Sequence, residues 1–143
     1  MDGMDSSRAF IWLLLAVHTF LAGWALVGFA EWFMASVPWP RVSNEQFPRL
    51  VLLAQWVLIL AAAAVFLGGY ATRWRHTPVA LAVVYAAMAA LCALQTFSYM
   101  TNDSRFVAMA LEYMAYAGIL VFLFRSTVFR SGAGRVGTAL LRA

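Results

Sequence analysis

The sequence predicts an all-α integral membrane protein, folded as an antiparallel bundle of four transmembrane helices with both termini in the cytoplasm. Three observations predict this: the composition, four long apolar segments and the distribution of arginine. The chain of 143 residues is 64% hydrophobic and 11% charged, with a mean hydropathy of +0.80. Soluble domains are about 45–50% apolar and about 25% charged. A composition this apolar is typical of a chain whose surface faces lipid.

Four continuously apolar segments are each long enough to cross a bilayer, whose hydrocarbon is roughly 30 Å thick, at about 1.5 Å of helix rise per residue. Continuous apolar character favours helices over barrel strands, which would alternate over about ten residues. The predicted spans are residues 9–30, 50–71, 78–100 and 106–124. Together they form one transmembrane domain over residues 1–124, and residues 125–143 are predicted to be a basic cytoplasmic tail.

Prolines and turn-forming residues separate the spans. Pro38, Pro40 and Pro48 interrupt the chain between the first two spans. Pro78 opens the third span, where its missing N–H costs nothing. The sequence Asn102-Asp103-Ser104 suits a tight turn that can cap the fourth helix. We expect the first span to be retained, because a cleaved signal would have a basic start and a shorter apolar core.

The arginines indicate the orientation, since short cytoplasmic loops carry an excess of positive charge. One side of the predicted bundle has seven: Arg8, Arg73, Arg75, Arg125, Arg130, Arg135 and Arg142. The other side has three: Arg41, Arg49 and Arg105. This asymmetry predicts that both termini are cytoplasmic, and we assign the chain to the inner (plasma) membrane of a bacterium.

Small residues recur at helical spacing in three of the spans. Helices in lipid associate where small residues let their backbones approach closely. The stripes are Ala16, Thr19 and Gly23 in the first span, Ala54, Ala61, Ala64 and Gly68 in the second, and Ala82, Ala86, Ala90 and Ala93 in the third. We expect these faces to hold the bundle together. They suit contacts with other membrane subunits or with a second copy equally well.

One carboxylate, Glu112, lies inside the fourth span. A charged Asp at a helix centre costs about 2.5–3.5 kcal/mol on insertion scales, so such a group should face the bundle. By the helix rise, Glu112 lies about 9 Å from the exterior end of its span, and Gln55 and Gln95 lie about 7–8 Å from theirs. We predict a ligand- or proton-binding layer of these three residues, with Tyr113 and Tyr116 beside it. The alternative is structural: a protonated Glu112 hydrogen-bonded to a glutamine of another helix.

His18 lies deeper, about 18 Å from the exterior end by the same rise. The only other histidine, His76, stands at the cytoplasmic edge, so a bis-histidine haem within one chain is not expected. We include His18 among the candidate ligand- or proton-binding residues. A hydrogen-bonded interior residue is the default expectation for it, and we predict no cofactor. Single-histidine ligation of a haem or pigment is the alternative. No metal site is expected either. Glu112 and His18 would both have to lie about 2 Å from one ion, but they differ in depth by about 9 Å.

The motifs leave three function classes open. The sequence has no G-x-S-x-G, P-loop or H-E-x-x-H pattern, and its basic residues are too dispersed for nucleic-acid binding. The single cysteine, Cys92, lies in an apolar stretch and is expected to be buried and inert. Our first hypothesis is a non-enzymatic subunit of a larger membrane assembly. The second is a small transporter or ligand-binding bundle with an outward-facing pocket around Glu112. The third is an enzyme acting on a lipid or isoprenoid, with Glu112 as general acid or base and His18 or a tyrosine assisting.

Overall fold

The computed structural model describes residues 3–34 and 36–126, with side chains from residue 7 onward. Within those residues every regular element is an α-helix: α1 spans Gly3–Phe33, α2 Arg49–Thr72, α3 Thr77–Ser98 and α4 Arg105–Arg125. All four helices are long and apolar enough to cross a membrane. The prediction of an all-α membrane protein with four transmembrane helices is therefore confirmed. Most of the predicted tail, residues 127–143, lies outside the described residues.

The helix ends lie where the prolines and turn-forming residues predict them, with two differences. Pro78 lies in the first turn of α3, as predicted. That helix ends at Ser98, two residues before the predicted Met100, because Tyr99 and Met100 both donate their N–H groups to the carbonyl of Gln95. Ser104 makes no capping hydrogen bond to α4. The Asn102 side chain instead accepts the Ser104 N–H at 3.0 Å, so asparagine forms the turn.

Neighbouring helices along the chain pack side by side, whereas the first and last stay apart. The backbones approach closely in the pairs α1–α2, α2–α3 and α3–α4. Among the described residues, no Cα of α1 comes within 8 Å of a Cα of α4. These two helices meet through the Phe10 and Phe122 rings, whose centroids are 4.4 Å apart. We call that end of the bundle the tail end. The space between α1 and α4 beyond these two rings is called the α1–α4 gap.

We call the part of the bundle that carries the connections 36–48 and 99–104 the loop end. Phe47 and Tyr99 bring these two connections together, with ring centroids 6.2 Å apart. Arg49, at the start of α2, lies over the Trp32 ring at 4.6 Å and donates to its carbonyl at 3.4 Å. Glu31 anchors the longer connection by accepting the backbone N–H groups of Val42 and Ser43 at 2.6 and 2.9 Å.

The core has two parts. The first lies toward the tail end and draws on all four helices: Leu14, Ala62, Phe66, Leu81, Tyr85 and Leu123. The second joins α1 to α2 through Ala25, Trp56 and Ile59. Gly28 lets α1 approach here, because a Cβ at this position would overlap the Trp56 indole. Large side chains therefore fill the interior, and one glycine makes room for the largest of them.

The prediction that the small-residue stripe of α1 packs inside the bundle is wrong. Ala16, Thr19 and Gly23 are all exposed, and the buried residues of this helix are Leu14, His18, Ala25 and Gly28. In α2 and α3 the predicted stripes are partly exposed, at Ala64, Gly68, Ala86 and Ala90. The rotation of α1 is set instead by the partners of its buried face: Trp56 lies against Gly28, and Tyr85 bonds His18. Specific interior contacts outweigh the general preference for small residues.

Candidate functional site

A cavity of about 320 Å³ lies between the helices on the loop-end side of the larger core cluster. Its polar lining consists of Gln55, Tyr85, Cys92, Gln95, Glu112 and Tyr116. Its apolar lining consists of Leu21, Leu58, Ile59, Ala62, Met88 and Leu91. All four helices contribute, with Leu21 on the α1 side of the gap and Glu112 on the α4 side. The structure thus brings four of the six predicted site residues to one cavity: Gln55, Gln95, Glu112 and Tyr116.

The two glutamines form the rim of the cavity nearest the loop end. Gln95 donates through Nε2 to Oε1 of Gln55 at 2.8 Å, which joins α3 to α2. Both side chains are half-buried. Within the described residues, Nε2 of Gln55 and Oε1 of Gln95 make no further hydrogen bond. The pair therefore offers a ligand one N–H donor and one carbonyl acceptor.

Glu112 is held within its own helix and not by the glutamines. Its carboxylate accepts a hydrogen bond from the hydroxyl of Tyr116, one turn further along α4. The Cys92 thiol of α3 lines the same cavity as this carboxylate. In the described part of the chain neither glutamine bonds Glu112, so the alternative of a structural glutamate–glutamine link between helices is wrong. The described ion pair, Arg41 with Glu45, lies elsewhere, and no described cation pairs with Glu112.

His18 lies in the core and not in the cavity lining. It is 1% exposed, and its ring stacks on Phe66 at 4.2 Å between centroids. Nδ1 donates to the Leu14 carbonyl at 2.8 Å, and Nε2 accepts the Tyr85 hydroxyl at 3.0 Å. Both nitrogens are therefore engaged, which leaves none to ligate a haem or pigment or to assist Glu112 in catalysis. His18 instead positions Tyr85.

Two stacked tyrosines connect this buried histidine to the carboxylate. The Tyr85 and Tyr116 rings lie 4.6 Å apart at an angle of 20°. A continuous set of contacts therefore runs from His18 through Tyr85 and Tyr116 to Glu112. Because each hydroxyl has an acceptor, the rings are held in place as one wall of the cavity.

Tyr113, the remaining predicted site residue, lies outside the cavity. Its hydroxyl donates to the Ala89 carbonyl at 2.7 Å, which ties α4 to α3. The side chain is exposed on the lipid-facing side. Tyr113 is therefore a helix-packing residue in this structure.

No group of three metal-ligating side chains occurs among the described residues.

Sequence reasoning missed three residues with defined roles: Tyr85, Cys92 and Glu31. Tyr85 and Cys92 occupy the same face of α3 as Gln95, at helical spacings that could have identified them as neighbours of the layer. Cys92 is buried as expected, but it lies beside a carboxylate and not in a purely apolar setting. Glu31 stands in the last turn of α1, where the helix dipole disfavours a negative charge. That unfavourable position was the signal for its role as a loop anchor.

Comparison with known proteins adds no assignment, since no family model, curated protein or solved structure matches this chain.

Proposed function

We propose that this membrane protein binds or transports a small molecule in the cavity around Glu112. The observation that carries the proposal is the convergence of Glu112, Gln55 and Gln95 on one otherwise largely apolar cavity. Ligand sites have this character: about 300–1,000 Å³, mostly apolar walls and a few placed polar groups. The volume of about 320 Å³ suits a small ligand at the lower end of that range.

The proposed ligand reaches the cavity from the bilayer through the α1–α4 gap. The core cluster fills the bundle toward the tail end, and the bonded glutamines stand at the rim nearest the loop end. Between α1 and α4 the backbones do not approach, and Leu21 and Glu112 flank the space. Entry from the bilayer between α1 and α4, here called the sideways route, is therefore the least obstructed. It replaces the outward-facing opening that the sequence suggested.

We infer that the helices run antiparallel, with both termini in the cytoplasm of a bacterium and the loop end outside. The aromatic contacts of Phe10 with Phe122 and of Phe47 with Tyr99 support alternating helix directions. The arginines of the described residues support the orientation. Arg8, Arg73, Arg75 and Arg125 belong to the tail end, and Arg41, Arg49 and Arg105 belong to the loop end.

The cysteine of the cavity provides a direct test of access. We expect a lipid-soluble maleimide to label Cys92 in liposomes and a membrane-impermeant sulfonated maleimide to leave it unlabelled. Leu91→Trp, which fills the cavity, should slow labelling about tenfold, because close packing leaves no space for the reagent. Leu94→Trp is the matched control, since Leu94 is exposed on the same helix. The measurement is the labelling rate by intact-protein mass spectrometry, with Cys92→Ala as the blank.

Each alternative predicts a different pattern of Cys92 labelling. Equal labelling by both maleimides would place the opening in water and refute the sideways route. Because the thiolate is the reacting species and burial suppresses it, labelling is measured over a series of rising pH values. A wild-type Cys92 that stays unreactive throughout this series would show a closed, dry bundle and refute the binding site. Equal slowing by Leu91→Trp and Leu94→Trp would mean that the effect does not come from filling the cavity.

A second candidate function, as a subunit of a membrane assembly, is favoured by the face of α1 that the bundle leaves uncovered. Ala16, Thr19 and Gly23 lie on this face, and a Cβ at Gly23 would meet no atom within 4 Å. Close approach of another helix is possible there. We expect native mass spectrometry from lipid nanodiscs to show associated chains that Gly23→Leu releases and that Gly118→Leu, on the open side of α4, retains. A wild-type protein that is solely monomeric would contradict this function.

A further inference from the structure

We infer that the ligand of the Glu112 cavity is a lipophilic organic cation, meaning a protonated amine attached to an apolar body. The inference deepens the proposed function and rests on it. It comes from three properties of the cavity: an unpaired carboxylate, a wall of stacked tyrosines and an apolar remainder of limited volume.

The carboxylate is the first reason. Glu112 lies at membrane depth, where an ionised group needs a partner or a proton. Its hydrogen-bond partner, the Tyr116 hydroxyl, and the Cys92 thiol of the same cavity bring no positive charge. No described arginine or histidine forms an ion pair with it. A ligand that brings its own positive charge would neutralise Glu112, whereas an anionic ligand would add a second uncompensated charge.

The surrounding groups suit an ammonium in particular. Tyr85 and Tyr116 present aromatic rings to the cavity, and the face of an aromatic ring attracts cations. The free Oε1 of Gln95 can accept an N–H bond, so an ammonium would meet acceptors from both α3 and α4. A neutral alcohol could use the same acceptors but would gain nothing from the charge of Glu112.

The remaining lining selects for an apolar body of modest size. Leu58, Ile59, Met88 and Leu91 supply apolar surface to the cavity lining. A volume of about 320 Å³ corresponds to roughly ten water molecules at about 30 Å³ each. One short aryl or alkyl chain fits this space. A ligand that combines charge and apolar surface also partitions into the bilayer interface, from which the α1–α4 gap is reached.

Two probes that differ in one group test the inference: 4-phenylbutylamine, which is protonated at neutral pH, and the neutral 4-phenylbutanol. The protein is reconstituted in vesicles of phosphatidylcholine, whose zero net charge avoids enrichment of the amine. Protection of Cys92 from the lipid-soluble maleimide reports occupancy, with each rate divided by the rate without probe. In the wild-type protein we expect half-protection by the amine at about one-tenth of the alcohol concentration, since loss of a charge-assisted hydrogen bond costs about that factor.

The variants assign this preference to one carboxylate. Glu112→Gln should abolish the preference for the amine while keeping protection by the alcohol. Glu112→Asp should retain most of the preference for the amine. Glu45→Gln is the control, because Glu45 pairs with Arg41 at the loop end and does not line the cavity. It should leave the preference unchanged.

The outcomes separate the inference from the proposed function. Equal protection by amine and alcohol in the wild-type protein would overturn the cation inference, and this comparison requires no variant to fold. A preference for the amine that survives Glu112→Gln would overturn it as well. In both cases a reactive Cys92 would leave the cavity itself established. An unreactive Cys92 would refute the binding function and, with it, the inference.

Discussion

Gly28→Leu is expected to destabilise the protein by about 1–3 kcal/mol or more, the usual cost of overpacking a filled interior. Even the first carbon of the new side chain would overlap the Trp56 indole. That indole is 1% exposed and packs between α1 and α2. The helices must therefore separate or Trp56 must leave its position. Unfolding by sodium dodecyl sulfate in mixed micelles, followed by circular dichroism, measures the loss.

The same substitution at Gly23 is the matched control. Gly23 lies on the same helix with nothing within 4 Å of a new Cβ, so Gly23→Leu should leave the stability of the monomer nearly unchanged. Shortening the opposing side chain should relieve the overlap, so Gly28→Ala combined with Trp56→Leu should lose less stability than the sum of the two single changes. Equal losses at Gly23 and Gly28 would show that the contact with Trp56 does not determine the packing of α1.

His18→Leu is expected to cost about 1–2 kcal/mol, because it leaves the buried Tyr85 hydroxyl without its acceptor. Tyr85→Phe should cost a similar amount by leaving Nε2 of His18 unpaired. The double variant should lose less than the sum, since it removes both polar partners together. Thr19→Leu, an exposed neighbour on α1, should have little effect. The same unfolding assay provides all four values.

A strictly additive double variant would mean that His18 and Tyr85 stabilise the bundle independently. An absorbance band of a bound haem or pigment that His18→Leu abolishes would contradict the structural role of this histidine. Either result would require a different arrangement around the tyrosines that form the cavity wall. The thermodynamic cycle thus tests the support of the candidate site as well as the fold.

The membrane class and the helix positions could be predicted from the sequence because the physics is local. A helix must satisfy its own backbone in lipid, so an apolar segment of sufficient length specifies it without knowledge of its neighbours. The depth of Glu112, Gln55 and Gln95 followed from the helix rise in the same way, and all three reach one cavity. Depth depends only on distance along a helix, which sequence position supplies.

Rotation about each helix axis, by contrast, was decided by tertiary packing. The small-residue stripe of α1 suggested one inward face, but the pairs Gly28–Trp56 and His18–Tyr85 turned another face inward. Similarly, the three polar residues were expected to interact with one another, yet the glutamines bond together and Glu112 bonds Tyr116. Hydrogen-bond partners at equal depth are chosen by rotation and by spacing between helices.

By itself, therefore, the sequence determined that this chain has four membrane-crossing helices with a polar layer nearer to one end. Only the tertiary structure decided that α1 and α4 stay apart beside this layer, and that Cys92 and the stacked tyrosines complete a cavity there. The physical reason is that hydropathy and helix rise act along the chain. The shape of a cavity depends on side chains from all four helices meeting in three dimensions.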